Sequence, residues 1–247
     1  MWDDPKALNA FAATLASIAV TLLAIGAVAW AARNDAFALR EVVVATPLAR
    51  SSPANLEAAI RSDLSGTFFT LDLDAARAAL ARVPWVRNVS LRRQWPGRLE
   101  IAVEEHVPYA RWGDSGLVNE QGEIFAATHD GDLPQFDGPD ARASEVTARH
   151  REWSALLAPL DLRLRAIAVS PRGGWRLKAG SEEAALAIEL GRDEPDARLA
   201  RFVAAYGRTV GALARSGTRV GEVDLRYRNG FAARVPGFRE KPAKRAL

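Results

Sequence analysis

The run "AFAATLASIAVTLLAIGAVAWAA", Ala10 to Ala32, carries no charged residue. As a helix its roughly 23 residues would extend about 34 Å, enough for a bilayer core of about 30 Å. Trp30 stands where an interfacial aromatic belongs, and Arg33 closes the run. A buried helix that is apolar all round does not suit a chain of 247 residues. A signal peptide has a shorter apolar core and a small-x-small cleavage site, which "AVAWAAR" mimics only faintly. Residues 10–32 therefore read as a single membrane anchor behind a short leader, 1–9, with cleavage as the alternative. Charge leaves the orientation open. Lys6 and the amino terminus lie on one side, Arg33 and Arg40 on the other.

Beyond the anchor the chain is ordinary in bulk. It is 49% hydrophobic and 26% charged, which describes a globular protein and not a disordered one. The formal charge is +3, and most arginines are scattered singly, as at Arg77, Arg82, Arg87, Arg98 and Arg111, with acids nearby. Nucleic-acid binders concentrate such charge on one stripe beside aromatics, so no nucleic-acid partner is expected. There is no cysteine, which excludes disulfide scaffolds, thiol nucleophiles and Cys-ligated metals.

Residues 37–106 read as β-α-α-β-β. "LREVVVAT" is a β-branched strand. A helix follows, with Ser52 as cap, Pro53 at its first position, Leu56, Ile60 and Leu64 on one face, and Gly66 at its end. A second has Asp72 as cap, Leu73, Ala76 and Leu80 inward, and Pro84 as stop. A hairpin then turns at Pro96-Gly97, with Val89 and Leu91 alternating against Leu99, Ile101 and Val103. Trp85 and Trp95 are expected as core or hairpin-packing aromatics.

Residues 107–235 read as a mostly antiparallel β domain with helices packed on it, so the fold class is α+β. Short strands are separated by Gly113, Gly116 and Gly122. A helix carries Val146, His150, Trp153, Leu157 and Leu160 on one face. Three strands follow, then one long helix with Leu199, Phe202, Val203, Tyr206, Val210 and Leu213 as its stripe. In "VDLRYRNGFA", Val223, Leu225 and Tyr227 alternate with Asp224, Arg226 and Arg228, which predicts a last strand over 223–231 with one charged face. Asn229-Gly230 tolerates positive φ. The polar tail, 236–247, is expected to be disordered.

No residue pattern asks for catalysis or a cofactor. His106, His129 and His150 are in no ligand spacing, and His150 falls on an apolar face where a packed histidine is expected. Nucleophile and phosphate-binding motifs are missing. Carboxylate pairs occur at Glu104-Glu105 and Glu182-Glu183, but neighbours on a strand point to opposite faces, so Glu104 and Glu105 do not readily share a substrate. The chain reads as a binding protein, not an enzyme.

The strings "FFTLD", "VPWVRNVSLRRQWPGRLEIAVEEHVPYARW", "LGR" and "DLRYRNGFA" carry a resemblance. The first region after its anchor resembles a POTRA domain, and the strings together resemble the FtsQ/DivIB family of bacterial cell-division proteins. That resemblance implies a cytoplasmic amino terminus and two periplasmic domains at the division septum. It implies a scaffold whose β domain binds FtsB and FtsL, and through them the septal synthase FtsW–FtsI, while POTRA contacts other divisome proteins. The matching segment is where FtsB would add a strand. It implies Arg192 and Arg226 for partner carboxylates, Tyr227 for apolar packing and Gly230 for close approach. Val223, Leu225, Arg228, Asn229 and Phe231 complete the expected contact strand. A POTRA-bearing component of a secretion or envelope-assembly system is the other reading, although such proteins usually carry several POTRA modules or a β-barrel.

Overall fold

The computed structural model describes residues 5–61, 67–181 and 185–237. The expected helix end at Leu64 and Gly66, the Glu182-Glu183 pair and most of the tail lie outside the described residues. The chain divides into two compact units, one ending at His106 and the other beginning at Val107.

The first unit opens with helix α1, Pro5–Ala32. Leu8–Ala32 within it is long and apolar enough to cross a membrane. The three hydroxyls of this stretch are satisfied inside the helix. Thr14, Ser17 and Thr21 each donate to the carbonyl four residues back, at 2.5, 2.8 and 2.8 Å. That is what hydrocarbon demands of a hydroxyl.

After a 3₁₀ turn at Asp35–Phe37 come β1 (Glu41–Val44), α2 (Pro53–Arg61), α3 (Leu73–Leu80), β2 (Val86–Gln94) and β3 (Arg98–Glu105). The expected β-α-α-β-β order is present. β3 is central, antiparallel to β2 and parallel to β1. Alternation dictates its burial: Leu99, Ile101 and Val103 turn inward onto Leu56, Ile60 and Leu80. Asp72 caps α3 through Oδ1, which accepts from the Asp74 and Ala75 amides at 2.9 and 3.0 Å. Glu104 and Glu105 diverge as the pleat requires. Glu104 pairs with Arg87 at 2.5 Å. Glu105 accepts from the consecutive amides of Ala49, Arg50 and Ser51 at 2.9, 3.1 and 2.5 Å, fastening the loop before α2. Burial raises the Glu105 pKa, but these hydrogen bonds outweigh it and hold the carboxyl below its ordinary value.

Trp85 and Trp95 both lie outside the core of this unit. Trp95 is 66% exposed. Trp85 is half-buried, with the Arg50 guanidinium 5.1 Å from its ring centroid and a left-handed φ of 74°. The turn that feeds β2 sets that backbone, and the ring follows it outward. Replacing Trp85 with Ala should cost roughly 1 kcal/mol, the scale of an exposed cation–π contact, and not a core-cavity penalty. Trp85→Gly should cost less than Trp85→Ala, because only glycine adopts this φ without strain. Urea midpoints of the two variants test the order.

The second unit contains β4 (Pro108–Trp112), β5 (Gly116–Asn119), β6 (Ile124–Phe125), β7 (Gln135–Asp137), α4 (Ala143–Leu157), β8 (Leu164–Val169), β9 (Trp175–Gly180), β10 (Ala185–Gly191), α5 (Pro195–Tyr206), α6 (Val210–Arg215), β11 (Glu222–Asp224) and β12 (Ala232–Arg234). They build one sheet in the order β12-β11-β10-β9-β8-β7-β4-β5-β6. Its pairings are mostly antiparallel, with parallel contacts at β10–β11, β4–β7 and β7–β8. Trp153 of α4, fully buried, stacks edge-on against Trp175 at 5.2 Å. Its indole N–H donates to Asp196 Oδ1 at 2.8 Å, tying α4 to α5.

The expected long helix is two helices. Gly207 ends α5, and Thr209 restarts the chain with φ −122° and ψ −100°. The Thr209 hydroxyl donates back at 2.8 Å to the Ala205 carbonyl, which also accepts from the Arg208 amide at 3.1 Å, so the break stays hydrogen-bonded. Val210 remains buried, but Leu213 is rotated out to 37% exposure.

His150 is packed, as its position on α4 predicts. Its Nε2–H donates to the Leu164 carbonyl at 3.2 Å, and Nδ1 accepts from the Tyr109 hydroxyl at 2.8 Å in the neutral ring. Burial lowers the pKa of His150 below 6.5. The unfolded chain therefore takes up a proton more readily than the folded one. The stability this residue confers is complete above about pH 6.5 and is lost as pH falls towards the folded pKa. The urea midpoint of the second unit should fall between pH 7 and pH 5, and His150→Phe should flatten that slope.

Candidate partner-binding edge

The last ordered segment is not one strand over 223–231. β11 spans three residues, and the chain then leaves the sheet and returns as β12. β11 is enclosed: Val223 faces Ile188 of β10 in parallel and Ala233 of β12 antiparallel. The sheet edge on this side is therefore β12, Ala232-Ala233-Arg234, exposed throughout. Two short runs around Asn229-Gly230 are a hairpin pattern that could have announced β12. The connection is longer than a tight turn, and neither residue takes positive φ.

Seven of the nine residues singled out from sequence divide into three groups. Val223 and Leu225 are buried in the core, so their side chains are committed inward. Leu225 also donates its amide to the Glu189 carbonyl at 2.8 Å. Phe231 packs edge-on against Phe202 of α5, ring centroids 5.6 Å apart. Tyr227, Arg228, Asn229 and Gly230 are exposed in the loop between β11 and β12. The loop is supported from behind by Arg201, whose Nη1 donates to the Arg228 carbonyl at 3.1 Å.

Arg226 is exposed but already engaged. Its Nε and Nη2 donate to Asp224 Oδ1 and Oδ2 at 2.8 and 2.6 Å, and its amide also donates to Oδ1 at 3.0 Å. This fork holds the Asp224 carboxyl below its usual range and raises the guanidinium pKa. Asp224 is thus a functional neighbour that alternation assigned only to a polar face.

Gly191 lets the Arg226 side chain lie close against the end of β10. Its φ is +74°, and a Cβ there would lie 2.9 Å from Arg226 Cγ and 2.8 Å from Arg198 Nη1. A side chain would displace both arginines, so glycine in "LGR" serves conformation and close approach at once. Arg192 itself is open, with a 3.3 Å contact to Asp193. The result is a short strand edge with two alanines, preceded by a loop that exposes Arg226 and Tyr227, with Arg192 exposed at the end of β10. Such an edge offers main-chain groups for another strand and charge for an acidic partner.

Residues 110–226 match the family model described as "Cell division protein FtsQ/DivIB, C-terminal", and residues 37–106 match "POTRA domain, FtsQ-type". Similar proteins include the "Cell division protein FtsQ" of Burkholderia pseudomallei, 37% identical over 97% of this chain and 96% of that protein. The chain belongs to the FtsQ/DivIB family. Its FtsQ relative from Nitrosospira multiformis is 38% identical over 95% of this chain and 99% of its own. The FtsQ of Escherichia coli is 36% identical over 68% and 61% of the two chains. Family membership makes it a cell-division protein, with one apolar amino-terminal helix that fits a single-pass membrane anchor.

Proposed function

We propose that the chain is a non-enzymatic scaffold of the division machinery in the inner membrane. Its amino terminus lies in the cytoplasm, and two modules, 37–106 and 107–235, lie in the periplasm at the septum. The second module binds FtsB and FtsL, and through them influences the septal synthase FtsW–FtsI. The first meets other division proteins. The secretion reading has no observation in its favour once the FtsQ-type POTRA match is in hand.

The open β12 edge is the observation that carries this reading. An incoming strand of FtsB would extend the sheet along Ala232–Arg234. Tyr227 would cover its apolar side chain, and Arg192 would take a carboxylate. Arg226, held by Asp224, would present its remaining donor edge to the partner or exchange one carboxylate for another. Gly230, with open space around its Cα, would let the partner backbone approach.

Photo-crosslinking residues at Ala233 and at Tyr227, in cells that are dividing, test it. Capture of FtsB at both positions is expected, together with periplasmic activity of a reporter fused after Leu247. A cytoplasmic reporter signal would overturn the orientation. Capture of FtsB only from other faces would overturn the edge.

A further inference from the structure

Four aromatic rings gather on the first unit beside the end of α1. Phe37 lies 5.3 Å from Phe69 and 6.1 Å from Trp95, and Phe68 lies 5.3 and 5.8 Å from the same two rings. Phe69 is 51% exposed and Trp95 66%. Beyond their packing on one another, a Phe and a Trp exposed side by side form an apolar surface patch of the kind that marks an interaction site.

Their position gives them a use. Phe37 follows Ala32, the last residue of α1, by five residues, so chain geometry keeps it within about 18 Å. The actual path is shorter, because Asp35–Phe37 is a 3₁₀ turn. A side-chain hydrogen bond closes the gap further: the Thr67 hydroxyl donates to the Ala32 carbonyl. This satisfies a helix-end carbonyl that has no partner within the helix. Thr67 also bridges to Ala38, and Phe68 and Phe69 follow it directly. The patch is thus fixed at the level where the apolar run gives way to Arg33. Trp30, 71% exposed, stands at the same end of the helix. Arg33 and Arg40 are exposed on either side of the turn and suit acidic lipid headgroups.

We propose that the Phe37–Phe68–Phe69–Trp95 patch is a second membrane contact, which seats the POTRA unit in the headgroup layer. The proposal rests on α1 being a membrane anchor. Aromatic rings favour that layer because it accepts an apolar body and a polar edge together. With α1 inserted, the patch would set the height and tilt of the POTRA sheet above the bilayer.

The chain has no native cysteine, so single labelling sites are clean. Full-length Ile18→Cys, Phe69→Cys, Trp95→Cys and Ser90→Cys, each carrying an environment-sensitive fluorophore, would be placed in phosphatidylethanolamine–phosphatidylglycerol vesicles. Lipid-borne nitroxides should quench the labels at 18, 69 and 95, with emission shifted to the blue, and leave 90 unquenched. Arg40→Cys keeps all four rings. Its label should also be quenched, and several-fold less so when Phe69→Ser and Trp95→Ser are added. Quenching at 18 with water-like emission at 40, 69 and 95 would overturn the patch while leaving the anchor intact. No quenching at 18 would overturn the anchor, and the patch proposal with it.

Discussion

Proline placed singly at 232, 233 and 234 should weaken FtsB binding by roughly tenfold to a hundredfold, and the three variants should divide by parity. Along an edge strand, alternate residues turn their N–H and C=O outward, towards an incoming strand, or inward, towards β11. Proline removes the donor and adds a ring in its place. At an outward position it removes a main-chain hydrogen bond to the partner and leaves the partner's carbonyl unmatched, at about 1–3 kcal/mol. The melting temperature of the free chain should hardly move. At an inward position the pairing to β11 is lost as well, so binding and melting temperature should fall together. Calorimetric titration with an FtsB periplasmic segment and thermal melts of the free variants provide both readouts. If all three bind as tightly as the parent, β12 is not the docking edge.

The Asp224–Arg226 fork alters what a charge reversal in this region would report. Arg226→Glu would put a second carboxylate beside Asp224, so any loss of binding would be mixed with local repulsion. Arg192 makes only a loose contact with Asp193, and Tyr227 is open. Substitutions at those two positions separate contact from folding more cleanly.

Trp153→Ala should be the most destabilising single substitution in the second unit, at about 3–5 kcal/mol. The ring is fully buried, it meets Trp175, and its N–H holds Asp196 at the start of α5. Truncation therefore opens a cavity between α4 and the sheet and removes the tie between the two helices. The melting temperature of that unit should fall on the order of 10–20 °C. Trp153→Phe should recover most of the packing. Asp196 would keep Arg149, 2.5 Å away, as its partner. A loss below about 1 kcal/mol for the alanine variant would mean that the α4–α5 layer does not carry the stability of the unit. FtsB binding should fall only in proportion to unfolding, because Trp153 is a residue of the core.

What the sequence determined by itself was whatever depends on neighbours along the chain. The uncharged run specifies a helix long enough for a bilayer. Alternation at Leu99, Ile101 and Val103, and the Asp72 cap, specify β3 and the start of α3, and each is found in place. His150 on an apolar helix face is a packed histidine for the same reason. Tertiary structure alone decided which strand lies at the edge. Alternation over 223–228 says which side chains share a face, but says nothing about whether a later segment folds back to cover the backbone. Whether a main-chain group is paired or free depends on residues far away in sequence. The same holds for Trp85, turned outward by the backbone of its turn, and for Arg226, engaged by Asp224 once Gly191 lets it lie close. Side-chain periodicity is a local property. Exposure of an edge, the conformation of a turn and the occupancy of a charge are set by the assembled sheet.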